Sequence, residues 1–447
     1  MRVAARGAFA ELSFNLGSRI LRAFWLTALL AMIFAVAATA SAQTFTVIHA
    51  FTGAGDGGVP NAGLTSGPGQ SFYGTTSCCG SGFGTVFKLK PAGTGWILDS
   101  LYRFRGNDDG SSPFGRVAVA PDGTLYGTTF AGGTGYNVCN GGCGTVFRLT
   151  PPPNAPVTAL YSWNETVLYR FTGAGDGGEP QGDLALDPAG NLYGTAYFPG
   201  AVYELSPGSG GWSESVLYSP GNYNALGGVT FDGSGNLYGV SPLGGNYGLG
   251  ALYELSPFGS GWTEQTTYSF TGQGDGTTPE AGLVIDSSGN LWGTTFYSNG
   301  YNGSVFEVLA GGGATQTLYD LPFTTGAPGG PIDKLAMDAA GNLYGTTYYG
   351  GAYGVGSVFE LVPTANGWTY VPLHDFTGLS DGEFPVSSLV MDNNGNLYGT
   401  ASQGGNGYGV IFEITPQSQT RATHPSRTAG RVRTGMDVKP TSVVSRP

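Results

Sequence analysis

One six-residue segment returns seven times along the chain, each time placing Tyr or Trp directly before Gly. The copies are Ser71-Phe-Tyr-Gly-Thr-Thr76, Thr124-Leu-Tyr-Gly-Thr-Thr129, Asn191-Leu-Tyr-Gly-Thr-Ala196 and Asn236-Leu-Tyr-Gly-Val-Ser241. Asn290-Leu-Trp-Gly-Thr-Thr295, Asn342-Leu-Tyr-Gly-Thr-Thr347 and Asn396-Leu-Tyr-Gly-Thr-Ala401 complete the set. Five of the six spacings fall between 45 and 54 residues, and the sixth, 67, holds an insertion around Pro151-Pro152-Pro153. A period of this length belongs to propellers, solenoids and arrays, in which each copy buries its apolar face against the next.

Every copy carries four strand-like runs, short, rich in Val, Phe, Tyr and Thr and bounded by Gly, Asn or Asp. Ala281-Gly-Leu-Val-Ile-Asp286 exemplifies the first and the Tyr-Gly segment is the second. Gly356-Ser-Val-Phe-Glu-Leu361 exemplifies the third, and Thr266-Thr-Tyr-Ser-Phe270 the fourth. The first two are joined by Asp-x-x-Gly-Asn, as in Asp286-Ser-Ser-Gly-Asn290, where Asp opens a turn and Gly supplies its positive φ. No segment after residue 42 has capped helical periodicity. The last copy stops after its third strand, Gly409-Val-Ile-Phe-Glu-Ile414, whereas Thr46-Val-Ile-His-Ala-Phe51 reads as a fourth strand like Val371-Pro-Leu-His-Asp-Phe376. A ring needs that permutation and an open solenoid does not. The expected fold is all-β: a seven-bladed β-propeller of four-stranded antiparallel blades, closed by the N-terminal strand completing the last blade.

Leu-Tyr-Gly-Thr-Thr followed by Gly-Gly and Gly-Thr-Val-Phe-x-Leu resembles the GloVer tandem-repeat family of exported bacterial proteins, over about residues 45–416. Phe-Thr-Gly-x-x-Asp-Gly-x-x-Pro before the first strand fits as well. Tyr223-Asn-Ala-Leu-Gly227 and Thr324-Thr-Gly-Ala-Pro328, in blades 4 and 6, lack its Asp-Gly. The resemblance implies surface or secreted proteins with varied C-terminal anchors, and supplies no catalytic residue to carry over.

Export is also legible at the start. Arg19 and Arg22 precede an apolar run from Ala23 to Ala38, and Ala40-Ser41-Ala42 fits a small-x-small cleavage site. The expected domains are a signal peptide, 1–42, the propeller, 43–416, and a disordered basic Ser/Thr/Pro-rich tail, 417–447. No later stretch is long and apolar enough to span a bilayer, so a secreted, extracellular or cell-surface monomer is expected. Residues 43–416 hold 8 of the 18 basic and 28 of the 30 acidic side chains, a net charge of −20 that repels phosphate backbones and argues against a nucleic-acid partner. The four cysteines suit an oxidising compartment and lack paired Cys-x-x-Cys zinc spacing. Cys139–Cys143 is the expected disulfide; Cys78 and Cys79 are expected to stay reduced or to pair with that second loop.

Catalysis finds little support. His49 and His374 stand where Tyr102, Tyr169, Tyr218, Tyr268 and Tyr319 stand in other copies, and read as packing substitutes. His424 lies in the tail, so no nucleophile–base–orienter set assembles and no catalytic residue is assigned. Asp56, Asp109, Asp176, Asp275 and Asp381 recur in Asp-Gly turns before the first strands. Ca2+ is the one cofactor they could suit, but one Asp per loop gives no cage and turn chemistry explains them, so no metal or cofactor is expected. The loops joining second and third strands are aromatic: Tyr136, Tyr197, Tyr247, Tyr297, Tyr301, Tyr349, Tyr353 and Tyr408 are the candidate binding residues. Aromatic faces among Gly and Asn suit sugar rings or peptides. The reading is a secreted, non-enzymatic protein that binds a glycan, polymer or protein through this loop-rich face. The alternatives are a propeller enzyme (lactonase, lyase or glycan hydrolase) using channel carboxylates, or a purely structural envelope module. First strands such as Leu184-Ala-Leu186 and Leu283-Val-Ile285 predict an apolar, plugged channel.

Overall fold

The computed structural model describes residues 43–80, 82–152, 163–221, 225–298, 302–311, 315–321 and 330–416; residues 1–42, expected to be a signal peptide, the expected tail 417–447 and Tyr301 lie outside them. Among the described residues, seven four-stranded sheets follow one another along the chain, each ordered first to fourth strand with antiparallel neighbours. Blade 3 is representative, with strands Ala185–Leu186, Leu192–Ala196, Ala201–Gly208 and Gly211–Tyr218. The residues just ahead of all seven first strands line one cavity, which places those strands around the axis. The fold is a seven-bladed propeller.

The recurrent Tyr-Gly dipeptide has a steric cause. The motif Gly pairs across the sheet with an aromatic residue of the third strand: Gly127 with Phe147, Gly293 with Phe306, Gly345 with Phe359, Gly399 with Phe412. A Cβ there would lie 2.5 Å from the Phe147, Phe306 and Phe412 rings and 2.6 Å from Phe359. Each ring thus lies flat over a bare backbone, fully buried. From that position three of them meet the Phe that ends the preceding blade, edge to face, with centroids 5.1 Å apart for Phe104–Phe147, 5.2 Å for Phe270–Phe306 and 5.3 Å for Phe376–Phe412, whereas blade 5 ends in Leu321 ahead of Phe359. Such a pair is worth about 0.5–1.5 kcal/mol beyond the area it buries.

The threonines that follow Gly bind blades together. Thr75, Thr346 and Thr400 donate their hydroxyls to backbone carbonyls of the next blade, at Gly115, Ser387 and Ala62. The second Thr bonds a hydroxyl at the start of the third strand, Thr76 with Thr85 at 2.8 Å and Thr347 with Ser357 at 2.9 Å. Where the second Thr is replaced by Ala, its partner is apolar too: Ala196 faces Ala201 and Ala401 faces Val410. A lone buried hydroxyl would be unsatisfied there.

Strand Thr44–Ala50 lies antiparallel to Val410–Thr415, as the fourth strand of blade 7. Phe51 then reaches Phe87 of blade 1 (5.6 Å), and Phe45 stacks on His374 of blade 6 (3.6 Å). The closing strand therefore touches both neighbouring blades.

Deleting residues 43–51 should expose the edge of Val410–Thr415 and leave Phe87 without its partner. A lower melting temperature and aggregation are expected, and a truncated chain melting like the parent would defeat the closure argument. Gly345→Ala should cost about 1–3 kcal/mol through overpacking against Phe359. Phe359→Leu in the same chain should return part of that loss in chemical denaturation.

Candidate functional site

Two loop sets share one end of the ring: those from second to third strand, and those from fourth strand to the next blade. The Asp-x-x-Gly-Asn turns occupy the other end. In them Asp286 accepts hydrogen bonds from the Asn290 backbone and side chain, each 2.9 Å, and from Trp292 Nε1 at 3.3 Å. Asp338 and Asp392 are engaged likewise by Asn342 and Asn396. These carboxylates fasten turns.

The Asp-Gly series fastens the loops at the opposite end. Asp109, Asp176 and Asp275 accept from the hydroxyls of Tyr102, Tyr169 and Tyr268 at 2.7–2.9 Å, and from backbone N–H groups four residues upstream. In blades 7 and 6 the donor is instead the imidazole Nε2: His49 to Asp56 at 3.2 Å and His374 to Asp381 at 3.1 Å. The two histidines thus replace the Tyr hydroxyl as well as its bulk. Burial pulls the His49 pKa below its usual value despite Asp56. Burial would raise the Asp56 carboxyl, but hydrogen bonds from Thr52 and His49 hold it low. Among the described residues, no group of three or more His, Cys, Asp or Glu side chains is placed to hold a metal ion.

The loop tyrosines divide by exposure. Tyr136, Tyr247, Tyr297, Tyr349, Tyr353 and Tyr408 are exposed, Tyr247 and Tyr353 to 62% and 63%. Tyr197 is half-buried. Several are propped from below: Tyr297 stands edge-on to Phe296 (4.6 Å) and Tyr349 to Tyr348 (4.5 Å), which itself stacks on Phe384. The tyrosines have apolar company that a search for aromatics overlooks, namely Phe83, Val138, Leu243, Leu249 and Leu379, all exposed in loops of this face. Of the 15 exposed large apolar side chains among the described residues, 11 belong to these loops. Arg105 is the only basic residue the loops carry before the chain turns into the channel. Cys139 is bonded to Cys143 within one loop, with Cα atoms 5.1 Å apart. Cys78 and Cys79 are bonded to each other, which corrects the expectation that they stay reduced or join the second loop.

The channel differs from its expected apolar plug. The first strands are two residues long, and Leu184, Leu283, Leu335 and Leu389 turn into the blades over the motif glycines. Alternation then sends the residue before each leucine the other way. At that position stand Gly63, Arg116, Asp183, Gly228, Gly282, Lys334 and Ser388. A cavity of about 290 Å³ opens there. Arg116 donates its backbone N–H to Asp183 Oδ1 (2.8 Å) and Nε to Oδ2 (2.7 Å). Burial would lift the Asp183 carboxyl, but Arg116 holds it below its ordinary value. Asp333 makes no ion pair of its own: burial, then the Asp183 charge, push it up to about 7 against the weaker pull of Arg116 and a Ser388 hydrogen bond. Its Oδ2 is buried without a hydrogen-bond partner. Lys334 donates to Thr230 Oγ1 at 3.0 Å, and burial followed by Arg116 repulsion brings its ammonium down to about 8. Burial also raises Glu280. Sequence reading missed these groups because Arg116, Asp183, Asp333 and Lys334 interrupt positions that glycine, alanine or serine hold in most blades.

A family profile described as the Gloeobacter/Verrucomicrobia repeat matches residues 31–167 and 232–436. No curated protein matches the chain. Among solved structures, the nidogen/laminin complex is similar at 17% identity, over 62% of this chain and 86% of that one, with a TM-score of 0.39. A candidate 6-phosphogluconolactonase from Bacteroides uniformis is similar at 16% identity, over 73% and 87%, with a TM-score of 0.47. A candidate oxidoreductase (glucose dehydrogenase) from Thermus thermophilus follows at 14%, over 84% and 100%, with 0.42. None of these likenesses bears on function.

Asp333 gives a pH test. A carboxyl raised on folding adds stability while it holds its proton. That contribution is complete below its ordinary 3.8 and lost as pH rises through about 7. Asp333→Asn should therefore melt close to the parent near pH 4 and a few degrees above it at pH 8. A difference that does not widen with pH would contradict the assignment.

Proposed function

The chain belongs to the Gloeobacter/Verrucomicrobia repeat family, and on that premise we propose that it is an exported, non-enzymatic protein whose aromatic loop face grips an extracellular glycan or similar neutral polymer. The observation that carries this is the gathering, among the described residues, of 11 of 15 exposed large apolar side chains on one end of the ring. Soluble surfaces rarely concentrate apolar groups in this way without a partner. A closed ring with pinned blades presents these residues on stiff stems, so little ordering entropy opposes binding. Tyr rings offer sugar faces an apolar plane and a hydroxyl rim.

Export rests on the basic and apolar start of the chain with its Ala40-Ser41-Ala42 site, and the disulfides accord with an oxidising compartment. No helix among the described residues is long and apolar enough to cross a membrane. The proposal includes a monomer and no cofactor. A second reading, hydrolysis or lactone opening by channel carboxylates, gains Asp333 and Glu280 as titratable groups. Release of product from a bound polymer would favour that reading over the first.

A glycan array probed with the full exported chain tests the proposal. Tyr247→Ala, Tyr349→Ala and Tyr353→Ala should each weaken binding tens-fold, the scale of about 2 kcal/mol per anchor, with melting curves nearly unchanged. Affinity should change little between low and high salt, since few ion pairs are available. If these variants unfold, the tyrosines are packing elements and the binding reading falls.

A further inference from the structure

We propose that the axial cavity is a second, separate binding site, made for one neutral monosaccharide or comparable small polyol, with Asp333 and Lys334 as its hydrogen-bonding residues. The site does not depend on the aromatic face, because it is built from different residues in a different part of each blade.

The size of the cavity sets the first limit. Its volume of about 290 Å³ is at the lower end for small-molecule pockets. A single sugar ring fits that scale and an oligosaccharide does not. The walls set the second. Phe114, Leu226, Ile332 and Val386 supply apolar surface, whereas Asn61, Gln181, Glu280, Asp333 and Lys334 supply donors and acceptors. This mixture of apolar wall and few polar groups is what a neutral hydroxylated ring uses.

Charge gives the third. Arg116 is spent on Asp183 through a two-point contact. An anion entering the cavity would face Asp333 and Glu280, and a cation would face Lys334 with Arg116 behind it. Neither sign has an unopposed counter-charge, so a neutral ligand meets the least resistance.

The unmet hydrogen-bonding capacity gives the fourth. Asp333 Oδ2 is buried and has no partner, a state that is unfavourable until something donates to it. Lys334 gives one N–H to Thr230, and an ammonium carries three. An adjacent acceptor and donor of this kind suit a hydroxyl pair, one O–H donating to Asp333 and a second oxygen accepting from Lys334. Glycines let the loops around the cavity pass close to one another: a side chain at Gly282 would meet the Gly227 carbonyl at 2.5 Å, and one at Gly63 would meet the Ser388 carbonyl at 2.6 Å.

A hydroxyl donating to Asp333 favours its ionised form, so binding at neutral pH should release protons. Asp183, Arg116, Lys334, Glu280 and Ser388 are the charged and polar groups around it.

The test is calorimetric titration of the full exported chain with D-glucose, D-galactose, D-mannose and N-acetylglucosamine, each up to about 50 mM, in two buffers of different ionisation enthalpy. At least one sugar should bind with proton release. Asp333→Asn should weaken it ten-fold or more and abolish the proton release; Lys334→Met should weaken it comparably while keeping the release. Tyr353→Ala should leave monosaccharide affinity unchanged, so this site and the aromatic face fail separately. Acetate and methylammonium serve as ionic probes. Binding of either ion without any sugar, no sugar binding at all, or sugar binding indifferent to both channel variants would overturn the proposal.

Discussion

A bare backbone facing an aromatic ring is the contact on which the rest of the molecule depends. Only Gly at the motif position lets the Phe147 or Phe412 ring lie across its sheet, and only a ring lying there reaches the Phe that ends the preceding blade. The cross-strand pair is thus also an inter-blade contact. It fixes register, because a one-residue slip would set a β-carbon under the ring and turn each strand inside out. At five of the seven blade interfaces, it makes one blade's packing a condition on the next.

That coupling explains why the scaffold was legible before any coordinates. Gly paired with an aromatic residue, Thr paired with Thr or Ser, and Asp paired with Asn are local compulsions, repeated in seven, four and five of the copies. The split last blade was readable for the same reason, since Thr46–Phe51 repeats a pattern whose place was empty at the other end. The Asp turns were understood from turn chemistry alone. The two histidines were placed correctly in sequence but understood only in part: bulk was apparent, and the hydrogen bond to Asp56 or Asp381 needed the loop to be seen folded back.

The axis was not legible. Arg116, Asp183 and Lys334 occupy one structural position in blades 2, 3 and 6, but 67 to 151 residues separate them in the chain, and glycine or serine holds that position elsewhere. A repeat search rewards sameness and passes over such a set. The neighbouring leucines misled for a related reason: in a strand of two residues, which face is buried depends on where the sheet packs, and the leucines pack between sheets rather than into the channel. The neighbouring cysteines, Cys78 and Cys79, likewise gave no sequence clue to their partner.

The scaffold therefore confines variation to two places. Inside the blades most changes are matched by a partner, as Ala196 is matched by Ala201 where other blades carry a Thr pair, while blade 4 sets the buried Ser241 hydroxyl against Ala251. Loop tips and axial positions have no such partner in a neighbouring strand, so they can differ from blade to blade without cost to the ring. Exposed aromatics have accumulated at the first and buried charges at the second. Both departures from the repeat lie at or near the same end of the ring, because the loops entering each first strand also form the mouth of the channel. A ligand long enough to lie on the loops would therefore pass over the cavity, and the residues that break the sevenfold pattern are the ones it would meet.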